Sequence, residues 1–371
     1  MKVCIVGAGN MGLAIASVLS LKEEYDVTVY TKNPFDVTQL VFDDVEKKKK
    51  YSHLDINVEC NMEKAFCDAK YIICTYPAML RKQFVKDAEP ILKAGMNLVF
   101  VPGYGGAEYA CVDLMQKGIT IVGFQRVPYV ARQHDKKNAA VLSRKNTLYI
   151  ATIPKSKREE VCSDFERMLN IPCVALDEYL AVTLVPSNPL LHLTGLYNVF
   201  KDYKDGDCYS KPMMFYEEWN DDTSKLLFQY DDELQEICSK MKPLDLHEVV
   251  SLRTHYESST PEALTKKLKS IPSLYNVVTV PLVENEGKYY PDFNSRMFIE
   301  DFPFGIAIIK YFALLTGTKT PAIDLILDFY KDKTGIEYFK SDGTKGKDFE
   351  KSGVPGMYGL NTLKKIVEFY Q

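Results

Sequence analysis

Apolar residues in the first half of the chain fall into short runs separated by turn or helix-compatible segments. Residues 2–6 form a run that ends at glycine and suits a buried strand, and the apolar stretch 11–21 after it suits a helix. Further strand-like runs stand at 26–30, 71–75, 97–101, 119–123 and 147–152. This alternation predicts an α/β domain with a mostly parallel, doubly wound sheet. After Pro172 the pattern changes to helix-compatible stretches at 231–241, 261–270, 303–315 and 321–331, with a last helix over 361–370. The expected organisation is an α/β domain over residues 1–176 and a mainly α-helical domain over 177–371. The Gly- and Lys-rich segment 341–359 is expected to be an exposed loop, and no internal repeat is visible.

A chain of 371 residues exceeds the size at which one core usually stops growing, which supports two domains. A net charge of -4 provides no broad cationic surface for nucleic acid. The lysine run 47–50 lacks interleaved aromatic or arginine partners and reads as a solvated face or loop. None of the nine cysteines stands in a CxxC pair or beside histidines at metal-ligand spacing, so reduced thiols and no metal are expected. Cys4 and Cys74 fall inside the strand-like runs, where inert cysteines usually sit. No apolar run approaches the roughly 20 residues that span a bilayer; residues 302–317 come nearest, and Lys310 interrupts them. With no basic leader before the first strand, the expected location is cytoplasmic, away from membranes.

Gly7-Ala8-Gly9-Asn10-Met11-Gly12 is a GxGxxG sequence directly between a strand and a helix. Gly7 permits the tight turn, Gly9 lets a pyrophosphate approach, and Gly12 lets helix and strand pack closely. The N–H groups around Asn10 and Met11 face the phosphates. The first domain is therefore expected to be of the Rossmann dinucleotide-binding type. An acidic residue at the end of the second strand would favour NAD, but the segment reads Tyr30-Thr31-Lys32-Asn33. Thr31 and Lys32 there favour NADP (NADPH) over NAD, although Asp36 also lies within reach of the ribose and Lys32 can equally be a plain loop lysine. Pro77, after the strand-like run 71–75, and the turn Pro102-Gly103-Tyr104-Gly105-Gly106 are expected on the same rim, either beside the nicotinamide or simply as turns.

Five histidines are present, and His192 follows Pro186-Ser187-Asn188-Pro189-Leu190-Leu191. On a helix starting near Pro189, Asn188 and His192 share a face, expected to line a cleft between the domains. A histidine suits proton transfer to a carbonyl or imine receiving hydride, and a satisfied half-buried histidine is the plain alternative. Asp301, in Arg296-Met297-Phe298-Ile299-Glu300-Asp301, is either a helix N-cap or the carboxylate that orients His192. Arg296 carries the planar fork suited to a substrate carboxylate, or else forms a structural salt bridge.

Over nearly its whole length the sequence resembles the opine dehydrogenase family, which includes octopine and nopaline dehydrogenases. The resemblance rests on the GxGxxG, the turn ending at Gly106, Val127-Pro128-Tyr129-Val130-Ala131-Arg132, Asn188-Pro189 with His192, and Glu300-Asp301 with Pro303 and Gly305. Thr320-Pro321 with Asp324, and Tyr358-Gly359, also fit. It implies reductive condensation of an α-keto acid with the amino group of an amino acid, giving a secondary amine dicarboxylate. His192 and Asp301 would be the catalytic pair, and Arg132 a carboxylate or cofactor contact. Tyr129 stands where the family often has tryptophan, and Leu193 where it often has proline; these departures bear on substrate identity. Two other functions share the two-domain plan. One is a 2-keto or 2-hydroxy acid reductase of the ketopantoate reductase or glycerol-3-phosphate dehydrogenase type; those enzymes commonly use lysine for the proton. The other is a nonenzymatic NADP-binding sensor. The expected partners are small molecules, and the oligomeric state is left open, a homodimer included.

Overall fold

The computed structural model describes residues 1–135, 137–186, 188–275 and 278–371. It divides into two compact units, the first comprising residues 1–183 and 368–371 and the second residues 184–367. The division falls past the expected boundary at 176 because residues 180–183 bond into the first unit: Gln125 Nε2 donates to the Ala181 carbonyl at 3.1 Å, and Thr183 donates to Glu108.

The first unit is built on an eight-stranded sheet with strands β1 (Lys2–Val6), β2 (Asp26–Tyr30), β3 (Asn57–Glu59), β4 (Tyr71–Cys74), β5 (Asn97–Phe100), β6 (Thr120–Phe124), β7 (Leu148–Ile153) and β8 (Cys173–Ala175). Their order across the sheet is β8-β7-β6-β5-β4-β1-β2-β3. All neighbours from β3 to β6 pair in parallel, and β7 runs antiparallel to β6. The order 3-2-1-4-5-6 is that of the Rossmann fold. Every residue of β4 and β5 is buried, which explains their unbroken apolar pattern. Cys4 and Cys74 are buried in β1 and β4, and burial pushes their thiols up to about 12 and about 11.

A second sheet of four strands was not legible in the sequence: Lys49–Tyr51, Val41–Asp44, Asn138–Arg144 and Tyr129–Asp135, in that order. Its strands are partly polar, and Arg144 holds buried Asp44 with both arms of its fork, at 2.8 and 2.6 Å. Part of the lysine run 47–50 is thus an edge strand rather than a loop; its side chains are exposed, and Lys50 pairs with Asp43 at 3.3 Å.

Glu108 is fully buried in the first unit beside the chain terminus. Its Oε1 accepts from Thr183 and, at 2.8 Å, from the hydroxyl of Tyr370, which lies 2.8 Å from the Tyr109 hydroxyl. Burial pushes the Glu108 carboxyl up to about 7, against those hydrogen bonds. Between its ordinary value near 4.5 and about 7, the folded chain holds a proton that the unfolded chain has lost, so this group makes stability fall as pH rises through that window. Glu108→Gln keeps an acceptor for both hydroxyls and is expected to remove the effect. The variant should gain on wild type in melting temperature between about pH 5 and about pH 7. A difference independent of pH would show that Glu108 does not titrate there.

The second unit is mainly helical, with a short exposed hairpin at Leu282–Asn285 and Lys288–Pro291. Its helices include Asp221–Lys240, which starts ten residues before the expected 231 behind an Asn220 cap that accepts from the Thr223 N–H at 2.9 Å. Buried Glu233 accepts from the Ala322 and Ile323 N–H groups at 2.7 and 3.0 Å, capping helix Pro321–Thr334. Lys310 donates to Thr320 Oγ1 at 2.8 Å and pairs with Asp324 at 2.6 Å, so Thr320 and Asp324 have a local packing role. The segment 341–359 is not exposed throughout: Phe349 and Val354 are buried, in and beside short 3-10 turns. No helix among the described residues is long and apolar enough to cross a membrane.

Candidate active site

In the first unit, the phosphate-binding turn is built by close packing. Gly7 follows β1 with φ +104, and its N–H donates to the Tyr30 carbonyl at 3.0 Å, fixing the turn against β2. A Cβ on Gly12 would lie 1.9 Å from the Gly7 carbonyl oxygen, whereas one on Gly9 would meet nothing within 4 Å. Helix α1 (Asn10–Ser20) starts behind Gly9 with no side-chain cap, leaving the N–H groups of its first turn around Asn10 and Met11 to a ligand. An open approach over Gly9, beside an uncapped helix end, fits the pyrophosphate of a dinucleotide.

The flanking residues lie as expected on the carboxyl edge of the sheet. Thr31 is buried just past β2 and accepts from the Asn33 N–H at 3.2 Å, while Lys32 is exposed. Asp36 is spent on its own turn, accepting from the Thr38 N–H and hydroxyl at 3.0 and 2.6 Å and from Gln39 at 2.7 Å. Those bonds hold its carboxyl below the usual range. Pro77 precedes helix α2 (Ala78–Ala88), and Thr75 Oγ1 donates to the Val6 carbonyl at 3.0 Å. Gly105 and Gly106 both have positive φ, so the turn itself requires glycine there.

In the second unit, helix α3 (Asn188–Phe200) carries exposed Asn188 and half-buried His192 one turn apart. His192 Nδ1 lies 2.7 Å from Asp301 Oδ2. Asp301 heads a π-helical turn, Phe302–Ile306, in which the Ile306 N–H donates to the Asp301 carbonyl at 3.0 Å. Asp301 occupies the N-cap position that the sequence allowed, but its side chain makes no cap bond and faces the histidine instead. Gly305 makes this approach feasible, because a Cβ there would come 2.6 Å from Cβ of Pro189 at the start of α3. Burial pushes the Asp301 carboxyl above its ordinary value, and the neighbouring His192 pulls it down.

The sequence reading missed two side chains around this pair, Phe215 and Tyr230, and named a third, Glu300, without a role of its own. The Phe215 ring meets the His192 ring edge-on at 6.1 Å. Tyr230 is buried near Glu233 and Asp301, and burial followed by those carboxylates raises its hydroxyl's pKa. Glu300 is buried and bonded by Arg296 Nε. That contact gives Arg296 the salt bridge the sequence offered as its alternative role. Arg132 is exposed on strand Tyr129–Asp135, its Nη1 3.0 Å from the Ala131 carbonyl, and belongs to the first unit, whereas His192 belongs to the second. No cluster able to hold a metal ion occurs among the described residues.

Residues 175–334 match the family model described as "NAD/NADP octopine/nopaline dehydrogenase, alpha-helical domain", and residues 2–147 match that for the N-terminus of NAD-dependent glycerol-3-phosphate dehydrogenase. The chain is 27% identical over 330 residues to a tauropine dehydrogenase from Arabella iricolor, covering 83% of this chain and 82% of that one. It is 23% identical over 408 residues to an octopine dehydrogenase from Mizuhopecten yessoensis, covering 99% and 98%. Its fold matches that of an octopine dehydrogenase solved with NADH and L-arginine, with a TM-score of 0.86 at 21% identity over 100% and 98% of the two chains. The chain thus combines a Rossmann unit carrying the phosphate-binding turn with a helical domain of the octopine/nopaline dehydrogenase type carrying the His192–Asp301 contact, and it is similar along its length to opine dehydrogenases, which are NAD(P)-dependent oxidoreductases acting on CH–NH groups.

Proposed function

We propose that this protein reduces the imine formed between an α-keto acid and the amino group of an amino acid, yielding a secondary amine dicarboxylate. The observation that carries this reading is the 2.7 Å contact between His192 Nδ1 and Asp301 Oδ2 inside the octopine/nopaline-type domain. The reduced nicotinamide, when bound through residues 7–12, supplies the hydride. Asp301 takes the Nδ1 proton of His192 as its hydrogen-bond partner and so fixes the tautomer and direction of the ring, leaving Nε2 to exchange a proton with substrate. A buried carboxylate there also stabilises the imidazolium that forms as His192 accepts a proton. Asn188, one helical turn from His192, is proposed as a substrate hydrogen-bonding residue, and Arg296 and Arg132 as carboxylate contacts. The nine free cysteines suit a reducing, cytoplasmic setting.

A substrate matrix tests this reading: keto acids with and without amino acids, following dinucleotide oxidation and product mass. Amine-dependent turnover is expected, with Arg296→Lys or Arg132→Lys raising KM for an acid substrate because lysine cannot reproduce the bidentate fork. Equal rates without amine would identify a 2-keto acid reductase of the ketopantoate or glycerol-phosphate type. Dinucleotide binding with no turnover would indicate the sensor.

NADPH is proposed as the preferred cofactor, because the β2 end presents Thr31 and exposed Lys32 where an acid would repel a 2′-phosphate, and Asp36 is engaged in its own turn. NADPH is expected to bind more tightly than NADH, and Lys32→Ala to narrow the gap. Tighter NADH binding in wild type, unaffected by Lys32→Ala, would overturn the preference.

A further inference from the structure

Among the described residues of the first unit, Arg81 on α2 is the most deeply buried cation, at 2% exposure. Arginine carries its charge at any working pH, so burial demands satisfied donors. Its Nε donates to the Tyr76 carbonyl at 2.9 Å, and Nη1 donates to the Tyr104 carbonyl. The guanidinium also sits 5.7 Å from the ring centre of Phe100 and 6.0 Å from that of Tyr104. Among the described residues no carboxylate forms an ion pair with it; carbonyl dipoles and ring faces are its partners.

The two carbonyls belong to different loops. Tyr76 lies two residues beyond the end of β4, and Tyr104 lies four beyond the end of the adjacent β5. Both loops leave the carboxyl edge of the parallel sheet, where dinucleotides bind in this fold. Tyr76 also abuts the phosphate-binding turn, since a Cβ on Gly7 would come 3.2 Å from its ring. One side chain therefore ties two rim loops together, and one of those loops touches the glycine turn.

We infer that Arg81 is a positioning residue of the cofactor site: it fixes the separation of the Tyr76 and Tyr104 loops, and its unneutralised charge makes that rim favour the reduced, neutral nicotinamide over the oxidised, cationic one. The inference rests on the nicotinamide chemistry proposed above. Charge acts over several ångströms in a buried setting, so the bias needs no direct contact with the cofactor. Packing alone would affect both redox forms alike, whereas a fixed positive charge separates them.

The test uses the full chain without keto acid or amine, so it is independent of the substrate assignment. Dissociation constants for NADPH and NADP+, and for NADH and NAD+, are measured by fluorescence titration, with melting temperature as the fold control. Arg81→Met is expected to weaken binding of the reduced form about tenfold or more and to lower the oxidised-to-reduced ratio of dissociation constants severalfold. Arg81→Lys keeps the charge but not the fork; it should weaken both forms and leave the ratio unchanged. Wild-type affinity in Arg81→Met, or an unchanged ratio in that variant, overturns the inference. If Arg81→Met does not fold, Arg81→Gln decides, since its amide keeps donors for the two carbonyls without the charge: a lowered ratio supports the inference and an unchanged ratio sinks it. A wild-type chain that bound no dinucleotide would overturn the cofactor reading itself.

Discussion

His192→Ala is expected to lower kcat by about a hundredfold or more while leaving NADPH affinity nearly unchanged, since general acid–base catalysis typically contributes that much. The split follows from where the residues sit: His192 belongs to the helical unit, and the phosphate-binding turn belongs to the other. Asp301→Asn should also cost substantial turnover. An amide in place of Asp301 Oδ2 can donate to the ring as well as accept from it, so it no longer enforces one tautomer. With both residues proposed to serve one proton transfer, the double variant should be little slower than His192→Ala alone. Circular dichroism of each variant guards against a folding defect, since Asp301 is buried. Fully additive losses would mean that the two act separately. Near-normal turnover in His192→Ala would reduce their contact to packing.

The cofactor turn was readable because its determinants are local: three glycines within six residues, between a strand and a helix, each needed for a contact inside that same turn. The His192–Asp301 contact was only partly readable. His192 and Asp301 stand 109 positions apart, and spacing alone cannot tell an orienting carboxylate from a helix cap. What joins them is a π-helical turn and the fit of Gly305 against Pro189, and neither leaves a periodic signal. The polar four-stranded sheet escaped notice because strands such as Lys49–Tyr51 have no apolar alternation to betray them. Arg81 reads in sequence as an ordinary helix-surface arginine beside Lys82, and only tertiary packing turns it inward between two loops. The return of Tyr370 to Glu108 spans 262 positions and rests on hydroxyl bonds, which no hydrophobic pattern encodes.

Two glycine variants are expected to separate what the phosphate-binding turn does for folding from what it does for the cofactor. At Gly12 an added methyl would lie 1.9 Å from the Gly7 carbonyl oxygen and 2.9 Å from its carbon, and backbone atoms cannot rotate aside as a side chain can. Gly12→Ala must therefore push α1 away from the end of β1. Overpacking of this kind typically costs about 1–3 kcal/mol, and it also carries the first-turn N–H groups away from the phosphates. Both melting temperature and NADPH affinity should fall, the affinity by more than about tenfold. Gly9 differs. Its φ of -90 and ψ of -173 suit any L-residue, and a Cβ there meets nothing within 4 Å, so Gly9→Ala should melt like wild type. Yet the methyl would fill the space through which the pyrophosphate approaches the helix end, so affinity should again drop by about tenfold or more. Stability lost with affinity in Gly12→Ala, and affinity lost alone in Gly9→Ala, is the pattern a pyrophosphate lying over Gly9 requires. Wild-type binding in Gly9→Ala would mean that the dinucleotide takes another path across the sheet edge.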